Sequence, residues 1–159
     1  MTETARPDVG DPFPDIAMER PDGSTVSISD YAGKPVAVFF YPKANTPGCT
    51  TEAKDFSQLL PEFEKAGVAV LGASKDMPAA QQKFIDKHEL TVTIASDPVE
   101  EGVTDALGVW TEKKNYGRTY MGIERSTFLV DADGKIAQVW RKVRVKEHAA
   151  KVLEAAKAL

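Results

Sequence analysis

The chain contains very few of the residues that build disulfide scaffolds and metal centres. Among its 159 residues there is one cysteine, and there are two histidines. A single cysteine excludes an intrachain disulfide and a cysteine-rich zinc site, and two isolated histidines do not suggest a metal centre. A glycine-rich phosphate loop and a dinucleotide fingerprint are also missing, so the sequence implies no metal and no other cofactor.

Long apolar runs and an excess of positive charge are missing as well. The longest apolar runs are residues 36–41 and 68–73, far shorter than the roughly 20 residues of a membrane helix. The formal net charge of −4 argues against a nucleic-acid binder. The first ten residues lack the pattern of a signal peptide. We therefore expect a soluble, cytoplasmic protein with no membrane and no nucleic-acid partner.

The residues that are present predict an α/β fold. At roughly 100–200 residues per domain, the length predicts one domain spanning residues 1–159. Residues 13–28 indicate a hairpin, with turn residues in the middle. After it, strands are predicted at residues 36–41, 68–74, 91–95, 126–130 and 136–143, and helices from about Cys49 to Gly67 and at residues 77–88, 99–107 and 146–159. Residues 110–121 are predicted to be a long loop. The alternation predicts a sandwich with a mixed central sheet.

The lone Cys49 follows a loop that connects a buried strand to a helix. A lone cysteine is most often a small buried apolar residue, but the neighbours of Cys49 in the sequence are polar or small. Unpaired N–H groups and the positive end of the dipole lie at the start of a helix. Both favour the thiolate, which is the nucleophilic form of cysteine. The position therefore predicts a reactive sulfur.

The sequence around this cysteine resembles a known family. Residues 41–52 (YPKANTPGCTTE) are similar to the peroxiredoxin signature, in which a proline, three residues, a threonine and two residues precede the cysteine. Residues 116–128 (YGRTYMGIERSTF) resemble the bacterioferritin comigratory protein, or peroxiredoxin Q, subfamily. The resemblance runs from about residue 11 to the C-terminus. It implies a thioredoxin-like three-layer sandwich with an N-terminal hairpin extension, and a monomer or weak dimer.

The resemblance also implies an activity and a role for each site residue. The activity is reduction of hydrogen peroxide and organic hydroperoxides through a sulfenic acid on Cys49. Arg125 would favour the thiolate and bind the peroxide, and the Thr46 hydroxyl would hold a peroxide oxygen. Pro42 would form a wall of the pocket, and the backbone N–H groups of Gly48 and Cys49 would line it with hydrogen-bond donors. Glu52 would orient Arg125.

Each of these residues also has an ordinary interpretation. Thr46 is typical of turns, and an arbitrary arginine such as Arg125 is most often a surface charge on its strand. Glu52 suits the first turns of any helix, and Pro42 suits the end of any strand. A redox-sensing protein, oxidised once at Cys49 and then signalling to a partner, is the alternative to a peroxidase that turns over.

The chain departs from the subfamily in lacking a resolving cysteine. Many members carry one five residues after the reactive cysteine, where this chain has Lys54, and others carry one in the next helix, where residues 82–87 contain none. We therefore expect an external thiol, such as thioredoxin, glutaredoxin or glutathione, to complete the cycle. Lys54 itself is either a solvated lysine or a cation that attracts an anionic thiol.

Two further segments each allow more than one interpretation. The basic segment at residues 140–146 is interpreted as the polar side of an edge strand, with a patch for an anion or a nucleic acid as the alternative. For the aromatic residues at positions 110, 116 and 120, the resemblance implies a lid over the site. The alternatives are stacking of a ligand and, for Trp110, core packing.

Overall fold

A computed structural model describes residues 7–44, 46–98, 102–115 and 117–159. Its strands are β1 (Met18–Glu19), β2 (Thr25–Val26), β3 (Val36–Phe40), β4 (Ala69–Ser74), β5 (Thr93–Ser96), β6 (Trp110–Asn115), β7 (Arg118–Ile123), β8 (Ser126–Val130) and β9 (Ile136–Trp140). Its α-helices are α1 (Pro47–Lys65), α2 (Pro78–His88), α3 (Val103–Leu107) and α4 (His148–Lys157), and a 3-10 helix covers Ile28–Tyr31. No helix in these ranges is long and apolar enough to span a membrane.

Seven strands of the described chain form one mixed sheet in the order β2-β1-β5-β4-β3-β8-β9. Strands β3, β4 and β5 are parallel to one another. On one side β8 pairs antiparallel with β3, and β9 pairs antiparallel with β8. On the other side β1 pairs antiparallel with β5 and with β2, its partner in the hairpin. The predicted N-terminal hairpin is thus confirmed, and it extends the sheet beyond β5. The mixed central sheet predicted from the sequence is also confirmed.

The sheet separates two hydrophobic cores. Every side chain of β3 is buried, which explains why the strand is a continuous apolar run. Ala37 and Phe39 face a core with α1, α2 and α4, while Val36, Val38 and Phe40 face a core that includes α3. Helices therefore cover both faces, and the three-layer sandwich that the sequence implied is confirmed.

The long loop predicted at residues 110–121 is wrong, because β6 and β7 form a separate antiparallel hairpin there. This two-stranded ribbon, β6 and β7, is mostly polar, and much of β7 is exposed. The alternation of apolar and polar residues that predicts a half-buried strand is therefore missing from its sequence. Trp110 packs against the core opposite Cys49, as expected for a core residue, and Tyr120 is exposed. The lid over the cysteine stays a prediction, and Tyr116 lies outside the described residues.

Other predicted boundaries shift by a few residues. Helix α1 begins at Pro47 rather than at Cys49, and the helix continues through Pro61. Helix α3 begins at Val103, and residues 99–101 of the predicted helix lie outside the described residues. Strand β9 ends at Trp140, so the basic residues that follow lie beyond the edge strand and their interpretation as its polar side is wrong.

Candidate active site

The loop between β3 and α1 brings Cys49 to the edge of the sheet where the parallel strands end. Pro47, the first residue of α1, suits this position because its fixed φ is helical and it lacks the N–H that would be unpaired there. The carboxylate of Asp76, which follows β4, accepts a 2.7 Å hydrogen bond from the N–H of Ala44. This bond ties the loop to the neighbouring strand.

The Cys49 side chain lies inside the protein, at 1% exposure, although the adjacent Pro47 and Gly48 are exposed. Its apolar neighbours come from elsewhere in the chain, since Cys49 belongs to the core cluster that contains Tyr41 and Ala53. Sequence neighbours alone indicated a polar environment, and the tertiary structure corrects that expectation. The sulfur is buried, just beneath the surface.

Arg125 is the charged partner of this sulfur. Its Nη2 lies 3.1 Å from the Cys49 Sγ and its side chain is part-buried. The placement follows from sheet register, because Ser126 of β8 pairs with Phe40, the last residue of β3. Arg125 precedes Ser126 and therefore lies beside the loop that carries the cysteine. The contact gives the sulfur a hydrogen-bond donor that carries a positive charge.

Glu52 holds the other side of the guanidinium. It lies three residues after Cys49 and so projects from a similar face of α1. Its Oε1 accepts a 2.7 Å hydrogen bond from Arg125 Nη1, and the carboxylate is 1% exposed. Burial raises the pKa of Glu52 to about 7, against the opposing effect of the Arg125 charge. Among the described residues, its Oε2 has no hydrogen-bond partner, so within them the carboxylate is incompletely satisfied.

Gly48 leaves room for the guanidinium. A Cβ at this position would lie 3.3 Å from Arg125 Nη2, which is tighter than an ordinary contact. The absence of a side chain thus allows Arg125 to approach the first turn of α1 closely.

Thr46 and Pro42 border the same loop. Thr46 is the N-cap residue of α1, but its hydroxyl donates a 2.7 Å hydrogen bond to the carbonyl of Lys43 instead of capping the helix. Pro42 is half-buried just after β3. The structure thus brings Cys49, Arg125, Glu52 and Gly48 into contact and places Thr46 and Pro42 in the loop beside them.

The sequence analysis missed two groups near the sulfur. Lys113 of β6 donates a 2.5 Å hydrogen bond to the carbonyl of Ile123. Burial lowers its pKa, the Arg125 charge lowers it further, and Cys49 acts in the opposite direction. The Tyr41 side chain is buried, and burial raises its pKa. Lys113 gave no sequence signal because it lies in the ribbon that was interpreted as a loop.

Lys54 lies on an exposed part of α1 and lines a different cavity, together with Ser57 and Glu89. The structure records no contact between it and the Cys49–Arg125–Glu52 group. That group itself is a buried sulfur held by a cation, an arrangement suited to nucleophilic attack on an electrophile such as a peroxide oxygen.

Comparison with protein families shows a match of residues 9–139 to the AhpC/TSA family. Among curated relatives, peroxiredoxin Bcp of Bacillus subtilis is 43% identical over 150 residues, covering 94% of this chain and 95% of the relative. Peroxiredoxin Bcp of Escherichia coli is 43% identical over 139 residues, covering 87% and 88% of the two chains.

Solved structures show the same similarity in three dimensions. The bacterioferritin comigratory protein of Xanthomonas campestris, described with its alkyl peroxide reduction activity, matches with a TM-score of 0.87 and 41% identity, covering 95% of this chain and 98% of the other. BcpB of Mycobacterium tuberculosis matches with a TM-score of 0.84 and 31% identity, covering 96% of this chain and 98% of the other. The Xanthomonas campestris structures include variants in which either of two cysteines is serine, whereas this chain has one cysteine.

Proposed function

The chain belongs to the AhpC/TSA family and to its Bcp/peroxiredoxin Q proteins, which makes it a thiol-dependent peroxidase, and we propose that Cys49 is the residue that reduces the peroxide. The observation that carries this proposal is the 3.1 Å contact between Arg125 Nη2 and the Cys49 sulfur. Glu52 holds the same guanidinium from the other side.

In the first step, the Cys49 thiolate attacks one oxygen of the peroxide and the O–O bond breaks. The attacked oxygen remains on sulfur as a sulfenic acid, and the other leaves as alcohol or water after it takes up a proton. Arg125 binds the peroxide and stabilises the negative charge that moves from sulfur to the leaving oxygen. Its charge is secure, because the effects of Glu52 and Cys49 outweigh burial and raise the pKa of Arg125.

The loop residues complete the proposed pocket. The Thr46 hydroxyl can donate and accept, so it can hold a peroxide oxygen once it rotates away from the Lys43 carbonyl. Backbone N–H groups of Gly48 and Cys49 add donors at the start of α1. Pro42 walls the pocket and limits solvent.

An external thiol completes the cycle, since this chain has no second cysteine. One thiol attacks the sulfenic sulfur, forms a mixed disulfide with Cys49 and releases water. A second thiol then displaces Cys49 and leaves as the oxidised disulfide. Thioredoxin, glutaredoxin and glutathione are the proposed reductants, which is consistent with a cytoplasmic location. We propose a monomer or weak dimer as the working form.

Both hydrogen peroxide and organic hydroperoxides are proposed substrates. The Xanthomonas campestris relative, described as reducing alkyl peroxides, supports the second class.

Stopped-flow oxidation of Cys49, followed by steady-state peroxide consumption with each thiol, tests the proposal. We expect rapid oxidation and many turnovers per chain. A single oxidation per chain with every thiol would instead support the redox-sensing alternative, and Cys49 that peroxide does not oxidise would contradict both.

A further inference from the structure

A basic cleft of about 650 Å³ opens between the end of β9 and the first turns of α4. Among the nine described residues that line it, five are lysine or arginine and Glu147 alone is acidic. The cationic residues are Arg141, Lys142, Arg144, Lys146 and Lys151. The volume lies within the range of small-molecule sites, roughly 300–1,000 Å³.

Four of these five cations have charges that the described residues do not balance. Lys142, Arg144, Lys146 and Lys151 are exposed, and none makes an ion pair with a described carboxylate. Arg141 differs, because it donates to the Pro7 carbonyl and its guanidinium lies over the Phe128 ring. Since the whole chain carries a net charge of −4, the cleft is a local region of positive potential on an acidic protein.

The cleft adjoins the segment that carries Arg125. The N–H of Val143, which lines the cleft, donates a 3.0 Å hydrogen bond to the carbonyl of Arg125. The buried His148 closes another side of the cleft, and its Nε2 lies 2.8 Å from the Thr127 hydroxyl. The His148 ring also meets Phe56 edge-on, one turn after Glu52 on α1. The cleft therefore lies beside Arg125, the residue that contacts the Cys49 sulfur.

We propose that this cleft binds the carboxylates of an anionic low-molecular-weight thiol, which then reduces oxidised Cys49. The proposal rests on the external thiol of the proposed function and identifies its chemical class. The thiol sulfur bonds to the Cys49 sulfur, the hydroxide of the sulfenic acid leaves as water with the proton of the thiol, and a second thiol releases Cys49 and the oxidised disulfide. A protein reductant would instead need a complementary surface of about 800 Å² per partner, whereas the cations here surround a concave space of small-molecule size.

Two charge-reversal variants test the proposal. Arg144→Glu/Lys146→Glu reverses two cleft charges, and the control Lys83→Glu/Lys87→Glu reverses two exposed charges on α2, so both change the net charge equally. The readout is the rate constant for reduction of the Cys49 sulfenic acid by glutathione, which is anionic, divided by that for 2-mercaptoethanol, which is neutral. We expect this ratio to fall about tenfold in the cleft variant and less than twofold in the control.

The possible outcomes separate the explanations. An equal fall in both variants would indicate an effect of overall charge and would overturn the proposal, as would an unaltered ratio in the cleft variant. If reduction by a thioredoxin depends on the cleft charges while reduction by glutathione does not, the surface binds a protein and the small-thiol proposal is wrong. If no thiol reduces the wild-type sulfenic acid, the external-thiol step of the proposed function fails before any variant is compared.

Direct binding gives a test that does not depend on turnover. S-methylglutathione carries the same carboxylates without a free thiol, and it is titrated into the reduced wild-type protein by calorimetry. We expect saturable binding that weakens at high salt and weakens at least tenfold in Arg144→Glu/Lys146→Glu. Thermal unfolding checks that this variant is folded, and the milder Arg144→Gln/Lys146→Gln is expected to show a smaller loss. Binding of equal strength in the wild type and both cleft variants would refute the site.

Discussion

The Lys75–Asp97 pair and the Arg125–Glu52 pair are both shielded from solvent, but their hydrogen bonds are distributed differently. Asp97 accepts hydrogen bonds from the N–H groups of Val103 and Thr104 and from the Thr104 hydroxyl, in addition to the Lys75 ammonium at 3.2 Å. Glu52 has one oxygen bound to Arg125, and its other oxygen has no hydrogen-bond partner in the part of the chain that the structure describes.

We propose that this difference distinguishes a structural pair from a functional one. Asp97 holds the first turn of α3 and both of its oxygens accept hydrogen bonds, so we expect it to contribute to stability. The Arg125 guanidinium keeps one nitrogen for the Cys49 sulfur, while the carboxylate that orients it has a pKa raised to about 7. A buried carboxylate oxygen without a hydrogen bond lowers the stability of the fold. The guanidinium that this carboxylate orients has a nitrogen directed at the sulfur, where a substrate would bind. Mutation of the Arg125–Glu52 pair should therefore lower activity, whereas mutation of the Lys75–Asp97 pair should lower stability.

The largest effect is expected when the sulfur that Arg125 contacts is removed. Cys49→Ser should abolish peroxide consumption, because a serine hydroxyl is not ionised at neutral pH and does not form a sulfenic acid. Peroxide loss is measured with saturating thiol, and a thermal melt close to that of the wild type serves as the folding control. Turnover that persists in this variant would show that Cys49 is not the reacting residue.

Removing the cation of the functional pair should be nearly as severe. Arg125→Ala should lower the second-order rate constant for Cys49 oxidation by about a hundredfold or more, because both the thiolate and the leaving oxygen lose their charged partner. Stopped-flow fluorescence measures this constant. Arg125→Lys keeps the charge without the two-pronged geometry and should recover only part of the rate. Full activity in Arg125→Ala would remove the basis for calling this pair functional.

The structural pair should affect stability instead. Asp97→Asn places an amide group among donors and leaves Lys75 without its closest carboxylate, so we expect a loss of about 3–5 kcal/mol in the free energy of unfolding. Urea denaturation measures the loss, and peroxide turnover per folded molecule should match the wild type well below the melting temperature. A fall in that turnover would show that the two pairs are coupled.

Glu52 should make stability depend on pH. Its pKa is about 7 in the folded chain, raised from an ordinary value of 4.5 for a glutamate in water, so the folded state binds more protons between these values. Stability contributed by Glu52 is then lost as pH rises from about 4.5 through 7, by about 3 kcal/mol in total. Glu52→Gln does not titrate, so its stability relative to the wild type should increase over this range. Urea unfolding at pH 5 and pH 8 measures the change, and parallel pH profiles would contradict it.

The smallest effect is expected at Gly48. Gly48→Ala places a Cβ 3.3 Å from Arg125 Nη2, so the guanidinium must shift by a few tenths of an ångström. We expect the oxidation rate constant to fall about threefold, since sub-ångström misplacement of a catalytic group has modest cost. Lys54→Ala, at an exposed position on the same helix, is the control and should match the wild type. An equal fall in Lys54→Ala would implicate the helix as a whole.

Local sequence patterns predicted much of the fold, and they failed where the signal was not local. Strand β3 was visible as an apolar run because both of its faces are buried, and α4 was visible because Ala149, Val152 and Ala156 recur on one face. The β6–β7 hairpin was missed because its polar ribbon shows no apolar alternation. The burial of Cys49 was also missed, because the residues around it in the sequence are not those that surround it in space.

The local sequence carried the predicted chemistry of this protein. One cysteine after Thr46-Pro47-Gly48 at the start of a helix predicts a single reactive sulfur and an external thiol to reduce it. The family resemblance implied a role for Arg125, and the tertiary structure supplied the contact that brings it to that sulfur. Arg125 is 76 residues away in the chain and reaches it through the pairing of β3 with β8. Pairing between distant strands also places the basic cleft beside the site, because sheet register is set by packing across the whole core.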